Sequence, residues 1–153
     1  MGSVHATCVA VDGVGVMLRG PSGSGKSDLA LRLIDGGAVL VSDDQVALSA
    51  GTGEQAGRVI ARPPAAIAGL LEVRGIGLLP VSATASAPVA LVVDLKPGGE
   101  IERMPEPATC SYLGVRLPLI ALDPFRPSAP AALRLAMAAL RRSAGQWPAA
   151  EGA

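Results

Sequence analysis

The chain predicts an α/β fold, a P-loop-containing mixed β-sheet domain with few flanking helices. Three observations lead there. Residues 20–27 match the pattern G-x-x-x-x-G-K-[ST] and fall between a short apolar run, residues 14–18, and a stretch with helical spacing of apolar residues. Short apolar runs bounded by glycine, proline or aspartate recur through the rest of the chain, as strands do. Helical periodicity of useful length is confined to residues 27–35 and 129–142, so strands outnumber helices and a doubly wound arrangement lacks the helices it needs.

In chain order, Val9 and Val11 alternate with smaller or polar residues, Asp12-Gly13 is a two-residue hairpin signal, and residues 14–18 supply the second arm. After the glycine-rich loop, residues 27–35 predict a helix with Leu29, Ala30, Leu33 and Ile34 on one face. Gly36 or Gly37 can take the left-handed position that ends it. Residues 38–41 predict a short buried strand that delivers Ser42, Asp43 and Asp44. Residues 46–48 extend into a hairpin arm, residues 51–57 turn, residues 59–61 form a strand before Pro63 and Pro64, and residues 65–71 are a helix candidate. Residues 75–80 open another strand, residues 82–88 connect, and residues 89–93, Val-Ala-Leu-Val-Val, are the expected central strand. Residues 119–122 read as a strand and residues 129–142 as a terminal amphipathic helix rich in Ala and Leu. The expected domain spans residues 1–144, with a frayed tail over residues 145–153, where Gly145, Pro148 and Gly152 fall.

At 153 residues the chain suits one domain. Its 13 basic and 13 acidic residues cancel and aromatics are 2% of it, so it has neither the positive field nor the stacking surface that nucleic acids need. The longest uncharged stretch, residues 75–93, contains Pro80 and Pro88, which argues against a membrane span. No basic region followed by an apolar one opens the chain, so a cytoplasmic protein is expected. Cys8 and Cys110 are too few for a disulfide framework and carry no zinc spacing; they read as small packed residues.

Gly20, Pro21, Ser22, Gly23, Ser24, Gly25, Lys26 and Ser27 form the candidate nucleotide-binding loop. The glycines let the backbone close on an anion, and successive N–H groups and the following helix N-terminus face it. Lys26 can reach the β/γ-phosphates of ATP and the Ser27 hydroxyl can bind Mg²⁺. Transfer to a hydroxyl also requires a carboxylate to take its proton. Candidates follow three apolar runs: Asp43 with Asp44, Glu72, and Asp94. If residues 43 and 44 stay extended, one side chain faces the nucleotide while its neighbour supports it; the alternative is a solvated turn. Asp94 looks like the strand-ending acid that holds Mg²⁺ in ordinary P-loop enzymes, or is an exposed strand end. Glu72 by itself reads as a surface charge.

Several separated motifs together resemble the catalytic domain of the HPr kinase/phosphorylase family. They are His5 with the hairpin of residues 9–18, the loop of residues 20–27, Ser42-Asp43-Asp44 where the family has Ala-Asp-Asp, and Leu71-Glu-Val-Arg-Gly-Ile-Gly77. The last is similar to the family string Leu-Glu-[Ile/Val]-Arg-Gly-[Leu/Ile]-Gly. The resemblance runs from His5 to about Leu140 and implies a fold similar to the HPr kinase and PEP carboxykinase catalytic fold. It implies an ATP- and Mg²⁺-dependent serine kinase acting on an HPr-type phosphocarrier protein, with inorganic phosphate cleaving phosphoserine in reverse. Asp44 would then take the serine proton and return it in reverse, with Asp43 beside it favouring a shared proton. His5 would lie near the phosphates, Glu72 would join Ser27 on Mg²⁺, Arg103 would stabilise the transferring group, and Arg126 would contact phosphate or the partner. A homohexamer and a short form without the N-terminal domain of the longer enzymes are also implied. The family's late loop Pro-Val-Arg-Pro-Gly-Arg is here Pro124-Phe-Arg-Pro-Ser-Ala129, a departure that bears on dephosphorylation. Two further readings share the loop: a small-metabolite kinase with Asp94 on the metal and Asp43 or Asp44 on the acceptor, and a nucleotide-binding sensor that transfers nothing.

Overall fold

After a short strand, β1 (Gly2–Val4), the chain bends at His5 into a hairpin of β2 (Ala6–Val11) and β3 (Val14–Arg19). Asp12 and Gly13 close it at φ 52° and 86°, so both turn residues are left-handed and their twist matches that of the strands they join. The computed structural model describes residues 2–143, and the expected tail over residues 145–153 lies outside them. Following the glycine-rich loop, α1 (Lys26–Asp35) buries Leu29, Ala30 and Leu33 and stops at Gly36, with Gly37 left-handed at φ 114°. Then come β4 (Val39–Ser42), β5 (Val46–Ala50), β6 (Val59–Arg62), β7 (Leu70–Val73), β8 (Gly77–Pro80), β9 (Ala87–Leu95), β10 (Ala108–Tyr112), β11 (Val115–Leu122) and α2 (Ala129–Arg142).

Nine strands form one mixed sheet in the order β1-β5-β6-β9-β3-β2-β4, with β11 joining β9 and carrying β10 on its far side. β7 and β8 stand apart as a two-stranded hairpin. β2 is antiparallel to both β3 and β4, and β9 is parallel to β3. Strands β3, β4 and β9 therefore run the same way and end on one edge, where β2 begins: Ala6 lies opposite Arg19, and Cys8 opposite Ser42. That edge is where loops after parallel strands gather chemistry.

Both faces of the central sheet are covered, which is why β2 is buried at every position instead of alternating in exposure. Val9, Val16, Leu18 and Leu40 pack beneath α1 and α2 through Leu29, Leu33, Leu133 and Met137. Cys8, Met17, Val41 and Val92 pack on the other face against Val46, Leu48, Val59 and Leu117. The terminal helix and the central strand are where the sequence puts them.

Residues 65–71 do not form the expected helix. They make a single 3₁₀ turn, Ala65–Ile67, and Gly69 at φ 75° then directs the chain into β7. Leu71 is buried in the core with the helices while its backbone pairs with β8, so tertiary pairing overrides the helical spacing. Strands β1 and β10 are additions. The β10–β11 hairpin turns at Leu113 and Gly114, φ 52° and 78°, a turn the sequence hides behind a leucine in a left-handed position. Among the described residues no helix is long and apolar enough to cross a membrane.

Candidate active site

The end of β3 and the start of α1 hold the glycine-rich loop in a fixed shape. Gly23 and Gly25 sit at φ 83° and 99°, conformations that side chains resist. A Cβ at Gly25 would also come within 2.9 Å of Phe125 Cζ and 3.0 Å of Pro124 Cγ. At Gly20 it would meet Ser24 Oγ at 2.5 Å, so Ser24 fills the space behind the loop. Lys26 is 5% exposed, and its ammonium donates to the carbonyls of Gly20 (2.8 Å) and Pro21 (3.2 Å). The N-terminus of α1 opens beside it, with the free N–H groups and positive end that an anion needs.

Asp43 is the hub of the site. Its carboxylate is buried, and Oδ1 accepts the hydroxyls of Thr7 (2.9 Å) and Ser27 (2.7 Å) while Oδ2 accepts the backbone N–H of Glu72 (2.9 Å). One side chain thereby ties β2, α1 and β7 together. Thr7 is fully buried, and its oxygen also accepts the N–H of Asp44 at 3.1 Å. Thr7 was not singled out in the sequence, although a polar residue at the start of a buried apolar strand is a usable signal.

Of the two arrangements open for residues 43 and 44, an extended pair or a turn, the chain takes the turn. β4 stops at Ser42, whose hydroxyl donates to the Gln45 carbonyl; Gln45 N–H closes onto the Asp43 carbonyl at 2.8 Å, and Asp44 is left-handed at φ 70°. The turn leaves Asp43 buried behind Ser27 and Glu72, which line the cleft, and sets Asp44 in the cleft itself. Asp44 Oδ1 lies 2.7 Å from His5 Nε2, with the two side chains 61% and 43% exposed. The two carboxylates have separate partners, Thr7, Ser27 and Glu72 for Asp43 and His5 for Asp44.

A cleft of ≈ 550 Å³ opens over the loop. Ser22, Gly23, Gly25, Lys26 and Ser27 line one side, and Asp44, Glu72 and Arg74 the other. Phe125 and Leu31 complete it beside α1; neither these nor Arg74 was foreseen. Arg103 is exposed on the connection of residues 96–107 and does not line the cleft within this chain. Arg126 is exposed on the loop after β11, where its carbonyl accepts Arg32 Nη1 at 3.4 Å.

Asp94 is engaged elsewhere. Arg19 grips it with Nε to Oδ1 at 2.7 Å and Nη2 to Oδ2 at 3.0 Å, and donates from Nη1 to the Tyr112 hydroxyl at 2.9 Å. The hydrogen bond to Asp94 holds the guanidinium pKa above its usual range against the opposing effect of burial. With both oxygens committed to Arg19, Asp94 clamps β9 to β3. The cysteines are free; burial pushes the Cys8 thiol up to about 12 and raises that of Cys110 as well.

Among the described residues no three His, Cys, Asp or Glu side chains gather as a protein-only metal site. The donors present, Ser27 Oγ and the exposed carboxylate of Glu72, suit Mg²⁺, which takes few protein oxygens and completes its shell with phosphate and water.

Comparison with known proteins bears on the family and the fold. The family described as HPr Serine kinase C-terminal domain matches residues 1–123. An HPr kinase/phosphorylase from Caldicellulosiruptor bescii is 34% identical over 147 residues, covering 89% of this chain and 46% of the relative. Another from Clostridium tetani is 39% identical over 98 residues, covering 64% of this chain and 30% of the relative. The chain thus spans less than half the length of these relatives. Among solved structures, the Hpr(Ser) kinase/phosphatase from Coxiella burnetii superposes with a TM-score of 0.81 at 24% identity, covering 95% of this chain and all of the other, which is a likeness of fold.

Proposed function

The chain belongs to the HPr Serine kinase C-terminal domain family, and from that premise we propose that it transfers the γ-phosphoryl group of ATP to a serine of an HPr-type phosphocarrier protein. The observation that carries this reading is the meeting of the His5–Asp44 pair with the glycine-rich loop across one cleft. Lys26 and the loop N–H groups gather the β- and γ-phosphates. Ser27 and Glu72 would hold Mg²⁺, whose charge offsets that of the phosphates; Asp43 orients the Ser27 hydroxyl. As the serine oxygen bonds to the γ-phosphorus, the bond to the β–γ bridging oxygen breaks, ADP leaves and Asp44 receives the hydroxyl proton. His5 holds the Asp44 carboxylate in place for that transfer.

An open mouth favours a protein acceptor over an enclosed metabolite, since Asp44 stands at the surface where a serine on another protein can approach. The commitment of both Asp94 oxygens to Arg19 weighs against the small-metabolite reading, which puts Asp94 on the metal. We extend the reading to a cytoplasmic homohexamer, in which Arg103 of one subunit would serve a neighbouring cleft; sedimentation of the purified chain tests the assembly.

The direct test incubates the chain with ATP, Mg²⁺ and an HPr-type protein and reads one added phosphate by intact mass. Inorganic phosphate is then added to read the reverse direction. Asp44→Asn keeps the left-handed backbone, which asparagine tolerates. It is expected to lower transfer by about 10²–10⁴-fold with nucleotide binding retained. Near-normal transfer by this variant removes Asp44 from its role. Phosphate on a metabolite panel but not on HPr overturns the acceptor.

A further inference from the structure

Phe125 is the single phenylalanine of a chain with one tyrosine and one tryptophan, and it is 54% exposed in the wall of the cleft. A single exposed apolar side chain is ordinary on a protein surface; this one is set apart by its place in the wall of the cleft. The far edge of the ring lies against the phosphate loop, since a Cβ at Gly25 would meet Cζ at 2.9 Å and Cε1 at 3.2 Å. From there the cleft continues past Ser27, Asp28 and Leu31, along the first turns of α1. With the cleft read as a nucleotide site, the base of a nucleotide whose phosphates sit in the loop would lie along that wall.

The loop that carries the ring is also held in place. Phe125 N–H donates to Asp123 Oδ1 at 3.0 Å, and Pro124 beneath it is buried. Arg32 on α1 donates to the Pro124 carbonyl and pairs with Asp28 at 2.9 Å, which locks the loop after β11 to the helix that carries Lys26 and Ser27.

We propose that Phe125 is a stacking platform for the base of the bound nucleotide, an inference that rests on reading the cleft as a nucleotide site. The ring presents a π-face and no hydrogen-bonding group, so it holds a planar heterocycle by its face and favours the larger purines.

Equilibrium binding with Mg²⁺ tests this on the full chain, using a non-hydrolysable ATP analogue and inorganic tripolyphosphate, which has the charge but no base. Phe125→Ala is expected to weaken the ATP analogue by about 5- to 150-fold and to leave tripolyphosphate unchanged, while Phe125→Trp keeps the tight binding. In the wild type the adenine proton resonances shift upfield on binding; in the alanine variant they do not. Equal affinity of wild type and Phe125→Ala for the ATP analogue overturns the proposal. So does an equal loss for tripolyphosphate, which would make Phe125 a packing residue of the loop. A wild-type chain that binds neither probe overturns the nucleotide reading itself, whereas one that binds both equally tightly overturns only the platform.

Discussion

Asparagine at position 43 keeps the size of the aspartate and removes its charge, which isolates what the hub contributes. Three donors reach this buried carboxylate: the hydroxyls of Thr7 and Ser27 on one oxygen and Glu72 N–H on the other. In one orientation the new amide nitrogen faces Glu72 N–H, donor against donor. In the other it faces both hydroxyls, which must reverse and accept. Either way charge-assisted bonds become neutral or are lost. At about 1 kcal/mol for each bond so weakened, Asp43→Asn is expected to destabilise the chain by ~2–3 kcal/mol. Relief of repulsion with Asp44 works the other way, but Asp44 is 61% exposed and faces His5, so water screens it and the lost bonds dominate. Urea denaturation followed by circular dichroism reads the change in free energy, and thermal denaturation is expected to show a fall in Tm of roughly 4–12 °C for a chain of this size. A loss below ~0.5 kcal/mol, the range of an ordinary surface substitution, would refute the hub argument.

Asp94→Asn leaves the Arg19 guanidinium with a neutral partner in a half-buried place and is expected to cost ~1–2 kcal/mol after solvent screening, with phosphoryl transfer retained. A hundredfold or greater loss of transfer at unchanged Tm would return Asp94 to the metal site. The thiols respond to burial: with an aromatic disulfide reagent at pH 8, Cys110 reacts slowly and Cys8, whose thiol lies near 12, stays silent until denaturant exposes both. Two fast thiols in the native chain would contradict the packing of β2.

What could be read from the sequence follows the range of the interactions involved. The Asp12-Gly13 hairpin, the glycine-rich loop and the terminal helix are encoded by neighbours, and local spacing finds them. β7 is not, because burial of Leu71 with the helices and pairing with Leu79 decide it. The site divides in the same way. Lys26 and Ser27 stand out through their motif, while His5, Asp44 and Glu72 acquire meaning from the resemblance and meet the loop only once folded. The work of Asp43 was invisible, since its donors come from 36, 16 and 29 residues away. The commitment of Asp94 to Arg19 was hidden for the same reason, because their adjacency is a fact of β-register.

β9 changes neighbours partway along one side. It pairs with β6 at Ala87 and Pro88 and with β11 from Val92 to Leu95, while β3 follows it along the other side. The sheet therefore forks into two wings that share a single spine. Val46, Leu48 and Val59 of one wing and Leu117 of the other cover a face of that spine, so a designer would graft new surface at the turns of β5–β6 or β10–β11 and leave the strands themselves in place.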